Sequence, residues 1–550
     1  MKKMKVILAL VLAAALCLAL FAACAKTETP AKTDEPAKTD TTPAKTDEPA
    51  KTDEPAKTEE TAKTDEPADD GEEETGKSLV FEDGSIVDLK MFFFDLRMTG
   101  ADFGQRMLDE LNSYLEPTYG LHLDASFFNI GDWNTKVQVS IAGGDRCDVM
   151  PYLFTQNVTN LYTNNMALPL DDLMAEYAPE AVEKMADYMD AFRINGTLYG
   201  FPTLKNWVSN NYIIMRKDIL EELGLVEQAQ KIDSWSGFEE IMKAVKDRYT
   251  SEGLYAIGNS TASLLFNATG CVMHGDKFAD IERWDSLGDT GEVVYISEDK
   301  VQLFQAQEAY EQEAKRLADW YNNGYVWPDT PISNGAHGDE IMKQGVIFAT
   351  IQNSEIGVET TKGNSIGFEL VCPIVYSGTI TTGSVKTWGI GIPVTADEPE
   401  AAAYFINTLY TDAKVMNLLM WGIEGVDYDV VDGQVKHIED GHYYQSDFLI
   451  GDNTLLTPLY GNGEDFYDRV KANIAEAPVS PYLGFVLDAS NLDLAISQLL
   501  VVRDQYRDAM MGGLYTPELY QEYVEKLESA GVQDYLAELQ RQLDAWLAAR

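Results

Sequence analysis

Histidine and cysteine are scarce in this chain, with five of each in 550 residues. No H-E-x-x-H run occurs, so zinc-protease chemistry lacks its two His ligands on one helix face. Cys147, Cys271 and Cys372 are odd in number and widely spaced. They form neither a disulfide framework nor a zinc set, and read as isolated core thiols. Positive charge is scarce too: 42 Lys and Arg stand against 90 Asp and Glu. A surface that acidic excludes nucleic acid and anionic lipid as ligands.

The motifs that hint at catalysis lack their context. Gly363-Asn364-Ser365-Ile366-Gly367 matches G-x-S-x-G, but polar Thr360-Thr361-Lys362 precedes it and a strand is expected after it. A nucleophile elbow needs the reverse order. His437 and His442 flank Glu439 and Asp440 beside a turn and read as a solvated loop, not a metal site. Asp427, Asp429 and Asp432 lack the spacing and terminal Glu of a calcium loop. No catalytic residue, metal or cofactor is therefore expected.

What is present begins with an export pattern. Lys2, Lys3 and Lys5 precede an uncharged apolar run, Val6 to Ala23, that ends in Ala22-Ala23-Cys24. Its length would span a bilayer, but the small residues at its end predict a cleaved signal over 1–23. The boundary resembles a bacterial lipobox, with Phe21 where Leu is usual, which implies that Cys24 is lipidated and starts the mature chain. Residues 24–77 repeat Ala-Lys-Thr-Asp-Glu-Pro with no aromatic residue. Such a composition cannot bury a core and predicts a disordered tether holding a domain near the membrane. With the leader at +3 and the tether at −9, the body keeps about −42 of the total −48.

The body, 78–550, is long enough for two lobes. Strand, helix, strand, helix and strand patterns follow one another from Asp88 to Met150, which predicts a parallel sheet with helices on both sides. Ligands at such sheets sit beyond the strand C-termini, which puts Asp95, Arg97 and Trp133 at a candidate mouth. Asn195-Gly196 marks a hairpin. Trp207 lies just before a crossing strand at Asn211 to Met215, and residues 217–345 read as mostly helical. Pro399 opens two helical segments. They end at Trp421-Gly422, where a left-handed glycine cap is expected, and Asp432-Gly433 reads as a hairpin turn.

The stretch Gly422-Ile423-Glu424-Gly425-Val426-Asp427-Tyr428 resembles the Gly-Ile-Glu-Gly-x-x-Tyr segment of family 1 extracellular solute-binding proteins, and more narrowly the LipO-like lipoprotein branch of Gram-positive bacteria. Asp132-Trp133-Asn134-Thr135-Lys136 and Gly196-Thr197-Leu198-Tyr199-Gly200-Phe201-Pro202 are similar to other parts of that family. The resemblance implies an α/β, two-lobed periplasmic-binding-protein-like fold of type II, with discontinuous lobes and a hinge. Residues 78–210 with 373–425 are expected as lobe 1, and 211–372 with 426–550 as lobe 2. It also implies a monomer anchored at the outer face of the cell membrane that delivers a carbohydrate, an oligosaccharide, to an ABC permease.

Sugar binding needs flat aromatic faces and nearby carboxylates or amides. Trp133, Trp207, Trp388, Trp421, Glu424 and Tyr428 supply those types near the expected crevice, with Asp95 and Arg97. Two alternatives stay open: a peptide or other small solute on the same fold, for which Arg97 is the obvious anchor, and a surface glycoside hydrolase using a pair such as Glu424 and Asp427.

Overall fold

The computed structural model describes residues 84–97, 100–258, 271–290, 292–330, 338–438 and 443–550. The expected leader, Cys24 and the tether lie outside the described residues, as do Glu439, Asp440 and His442. Among the described residues no helix is long and apolar enough to cross a membrane.

The run Met91-Phe92-Phe93-Phe94 has no polar face to turn to water, and the strand Val87–Phe94 buries all four of these side chains. Each buried Phe contributes roughly 1.5–3 kcal/mol. The helix Ala101–Tyr119 follows and stops at left-handed Gly120. The strand Leu121–Phe128 then pairs in parallel, Val87 opposite Leu121 through Phe94 opposite Phe128. Val149 bridges to Met91 in parallel, so the expected β-α-β-α-β start is present. Beyond it, Met150–Tyr152 pairs antiparallel with Gly389–Gly391, which also pairs with Phe201–Pro202. Asn195-Gly196 makes the expected turn between Arg193–Ile194 and Thr197–Leu198, both residues at positive φ.

A second sheet centres on Asn210–Arg216. Ile347–Ser354 flanks it antiparallel on one side, and Leu370–Val371 and Ile374–Tyr376 on the other. Residues 217–345 are less helical than their composition predicts. Four short strands lie between Cys271 and Leu303, paired as two antiparallel ribbons. β-branched and aromatic residues such as Val294, Tyr295 and Ile296 pack there on a pleated surface.

Two large hydrophobic cores result, with two small clusters around Ile347 and Ile214. The first gathers Leu89 through Val208 and Ile380 through Leu483; the second gathers Ile213 through Tyr376 and Tyr482 through Leu543. The chain therefore passes between cores three times, near 208–213, 376–380 and 482–483. The last two passages are tied together: Ile380 N–H donates to Pro478 O, and Ser480 N–H to Ile380 O. The lobe boundary expected at 425/426 falls in the wrong place. Tyr428, Val435, Leu449, Phe466, Val470 and Ile474 belong to the first core, because the helix Phe466–Glu476 turns its apolar stripe inward there. Only from about 484 do the helices up to Ala549 complete the second core.

At 421–437 the expected hairpin is present, with Asp432 and Gly433 at positive φ between Tyr428–Val431 and Gln434–His437. Gly422 ends its helix at φ +82° and ψ −140°, not in the helical left-handed cap that its position suggests. An added Cβ would meet Asp427 Oδ2 at 2.6 Å, so the buried Asp427 carboxylate dictates that path.

Candidate functional site

Beside the passages between cores, the chain encloses a cavity of about 150 Å³ lined by Trp207, Ser209, Trp284, Ser286, Gly378, Thr379, Thr381 and Ser384. Trp207 belongs to the first core and Trp284 to the second, so the cavity draws on both lobes. Gly378 runs so close to the neighbouring passage that a Cβ would meet Ser209 O at 2.5 Å. Any side chain there would push the two passages apart.

Each indole is braced. Trp207 packs on Tyr188 with ring centroids 4.6 Å apart. Trp284 packs on Phe304 at 4.9 Å and Tyr295 at 5.4 Å, and its Nε1–H donates to Val294 O. Trp207 is 3% exposed, yet its Nε1–H has no hydrogen-bond partner. Thr379 Oγ1 is likewise buried and unpartnered. Thr381 and Ser384 hold each other in a capping box at the start of the helix Thr382–Lys386, which fixes that wall. Unsatisfied buried donors are costly, so a polar ligand entering this cavity would find partners already in place.

Among the described residues no charged side chain lines the cavity. Ionisable groups stand next in sequence to its lining, where Asp285 and Lys386, with Tyr482, border a second cavity of about 20 Å³. Asp285 accepts from Ser480 Oγ at 2.5 Å and Leu287 N–H at 2.7 Å, while burial holds its carboxyl above the usual range. Burial also pushes the Lys386 ammonium down.

The residues expected at the site divide. Trp207 lines the cavity. Trp388 lies four residues beyond Ser384, half-buried between Phe154 and Phe448, with ring centroids at 5.5 and 4.8 Å. Trp133 and Trp421 are core residues. Trp133 is fully buried against Phe94, and Trp421 donates its Nε1–H to Thr457 O. Tyr428 is buried in the same core, and burial followed by Glu424 raises its pKa. Glu424 is exposed. Asp427, the other half of the weighed hydrolase pair, is fully buried and accepts from Arg106, Ile423 N–H and Tyr443 N–H. A carboxylate so engaged is a structural hub, so Asp427 is not free to serve as the second carboxylate of a Glu424–Asp427 pair.

Asp95 is buried and accepts from Gln445 Nε2 at 2.8 Å, while exposed Arg97 lies 5.1 Å over the ring of Tyr444. Both partners come from the segment 443–448, which continues to Asp447 and Phe448. Burial and the nearby Glu355 raise Asp447, to which Tyr467 OH donates. Sequence reasoning missed this segment and Trp284. The signals were there: Tyr-Tyr-Gln-Ser-Asp-Phe interleaves aromatic and hydrogen-bonding side chains, and Thr379 to Ser384 is a hydroxyl-rich run between strands. Among the described residues no group of three or more His, Cys, Asp or Glu is placed to hold a metal ion.

Comparison with known proteins gives matches to both parts of the chain. Residues 114–425 match a family model described as bacterial extracellular solute-binding protein, and residues 481–548 match a separate domain of unknown function. The second match corresponds to the segment that completes the second core. The chain is 24% identical, over 80% of its length and 88% of the relative's, to a carbohydrate ABC transporter substrate-binding protein of Streptococcus pneumoniae serotype 4. Among solved structures it is similar to an N-glycan transport solute binding protein from Streptococcus pneumoniae, with a TM-score of 0.65 at 19% identity, covering 84% of this chain and 99% of that one. An HMO-binding, ABC-transporter-associated solute binding protein from Bifidobacterium longum infantis aligns with a TM-score of 0.58 at 14% identity, covering 84% and 99%. These structures share the α/β two-lobed fold.

Proposed function

The chain belongs to the bacterial extracellular solute-binding protein family, and from that premise we propose that it captures a neutral oligosaccharide between its lobes and hands it to an ABC permease. The observation that carries the ligand class is the cavity wall. Two indoles, one from each core, stand among five hydroxyl side chains with no charge between them. Indole faces match the C–H faces of a sugar ring, and the unpartnered Thr379 Oγ1 and Trp207 Nε1–H match its hydroxyls. A peptide or amino-acid ligand would need a charged anchor for its termini, and among the described residues this wall offers none. The relatives named as carbohydrate and N-glycan binders support the same class.

Ligand contact is assigned to Trp207, Trp284, Thr379 and Ser384. Trp388 extends the aromatic wall along the same lobe, while Asp95 is held by Gln445 and Arg97 lies over Tyr444, so neither is assigned as a ligand anchor. The protein acts as a monomer without a cofactor, Cys24 carries a lipid, and 24–77 tethers the lobes to the outer face of the membrane. A thermal-shift screen of neutral oligosaccharides, acidic oligosaccharides and peptides tests the ligand class, since a ligand that binds only the folded state raises Tm. Neutral oligosaccharides should raise it. A response confined to peptides would refute the carbohydrate reading.

A further inference from the structure

We propose that Phe154 is a stacking platform for a second sugar ring, so that the ligand runs from the cavity onto the rim of the first lobe. This deepens the carbohydrate reading and rests on it. Phe154 stands at the second position of a tight turn, closed by Gln156 N–H donating to Leu153 O at 3.0 Å. Its φ is +51°, a left-handed conformation that a side chain with a Cβ rarely adopts. The turn is held from several sides. Asn157 Nδ2 donates to Phe154 O at 2.7 Å, Asn160 Nδ2 to Thr155 O at 2.9 Å, and Thr155 Oγ1 to Asn134 Oδ1 at 2.8 Å.

Glycine or asparagine would meet that backbone demand with less strain. The chain places a phenylalanine there and leaves it 44% exposed. Burial does not account for the residue, and local backbone preference opposes it. Its ring is nevertheless fixed, tilted 69° to Phe94 at 5.7 Å and 70° to Trp388 at 5.5 Å. Edge-on contacts of this kind hold an aromatic ring in place without stacking on its faces. Trp388 links the platform to the cavity, since it follows lining residue Ser384 by four positions, just past the end of the helix Thr382–Lys386. A saccharide seated against Trp207 and Trp284 and extended past Ser384 toward Trp388 therefore meets an aromatic rim. That continuity is what selects a sugar chain as the occupant.

The test is calorimetry on the whole mature chain with malto-, chito- and fructo-oligosaccharide ladders of about one to five units. Wild-type affinity should rise with length. Phe154→Ala should weaken the longer members by on the order of 5- to 150-fold, taking base stacking as the guide, and leave the monosaccharide within about 2-fold. Phe154→Gly should lose the same length dependence yet melt at or above Phe154→Ala, because glycine relieves the left-handed backbone. If both variants keep the wild-type length dependence, the platform is refuted while the carbohydrate reading stands. An equal loss for short and long ligands, with a lower Tm, refutes it in favour of a packing role. If the wild type binds no saccharide but does bind a peptide, the carbohydrate reading fails and takes the platform with it.

Discussion

The cavity at Trp207 and the region around Trp421 carry the same residue types and put them to opposite uses. Each has a tryptophan near the end of an element, beside irregular backbone and close to a buried acid. At Trp421 the polar atoms are spent internally: the indole donates to Thr457 O, and Asp427 takes Arg106 and two backbone N–H groups. At the cavity, Trp207 Nε1–H and Thr379 Oγ1 are left over. Residue type is shared between a core and a site; what separates them is whether the buried hydrogen-bonding capacity is already used. One group breaks the pattern at Trp421: His437, 5.6 Å from that indole, has a buried Nδ1 without a partner.

The largest expected effect tests the core side. Trp421→Ala should lower stability by about 3–5 kcal/mol, as for other large buried aromatics. Whatever fraction folds should bind ligand with unchanged affinity. Chemical denaturation paired with calorimetry reads both. A mild loss of stability with a large loss of affinity would move Trp421 back into the site.

Next in size is a pH effect of opposite sign in the two cores. Burial, then Arg97, lowers His437 to about 4. The unfolded chain takes up its proton near 6.5, so stability in the first core is lost as pH falls from about 6.5 through 4. The loss is on the order of 2 kcal/mol once screening of a partly exposed ring is allowed for. In the second core burial raises Glu313 to about 7, against the pull of Arg316. Its folded pKa lies above the unfolded value, so its contribution is present below about 4.5 and lost as pH rises through 7. Calorimetric scans from pH 7.5 to 4.5 should show the two cores moving in opposite directions, and His437→Gln should remove the acid sensitivity of the first. If both cores shift together, these assignments fail.

A smaller and sharper contrast comes from changing only the indole N–H. Trp207→Phe removes an unpartnered buried donor, so folding should be unaffected or slightly improved while affinity falls by roughly 2- to 10-fold, one hydrogen bond's worth. Trp421→Phe strands the Thr457 carbonyl and should cost about 1–3 kcal/mol of stability with no change in affinity. Equal behaviour of the two variants would erase the distinction drawn above.

These pairs also show how far the sequence could be read. The parallel start from Val87 was legible because Phe92-Phe93-Phe94 admits only a strand covered on both faces. Both Asn-Gly and Asp-Gly turns were legible because their backbone geometry depends on local residues. The affiliation was legible in a short segment, Gly422 to Tyr428. The boundary at 425/426 was not, since the lobe change is set by which core the helix Phe466–Glu476 packs on, and the Pro481–Gly484 turn does not reveal that. The eight candidate residues were chosen by chemistry at element ends, and chemistry alone could not separate Trp133 and Trp421 from Trp207. That depends on Thr457 and Leu153, whose carbonyls take the Trp421 and Trp133 indole N–H groups from 36 and 20 residues away. Phe154 had no local signal, because its left-handed φ is imposed by Asn157 and the Leu153–Gln156 turn.

The smallest effect belongs to neither core nor cavity. Lys205, on the first passage between cores, lies 3.3 Å from Glu355 just beyond the strand Ile347–Ser354. The pair spans the two lobes and so favours the arrangement in which the cavity is assembled. With Glu355 about half exposed, it contributes on the order of 0.2–1 kcal/mol and is screened by salt. Asp447 decides which partner matters more. Its carboxyl feels Glu355 as a repulsion and Lys205 as an attraction. Glu355→Gln removes one attraction and one repulsion together, so its effects partly cancel. Lys205→Met leaves Glu355 and Asp447 facing each other with no cation between them. Lys205→Met should therefore weaken ligand affinity by roughly 2- to 5-fold at low ionic strength, and Glu355→Gln by less. Both differences should vanish near 1 M salt, where the screening length falls to about 3 Å. Should Glu355→Gln prove the more damaging, or should the losses persist in salt, the pair acts through packing and not through charge.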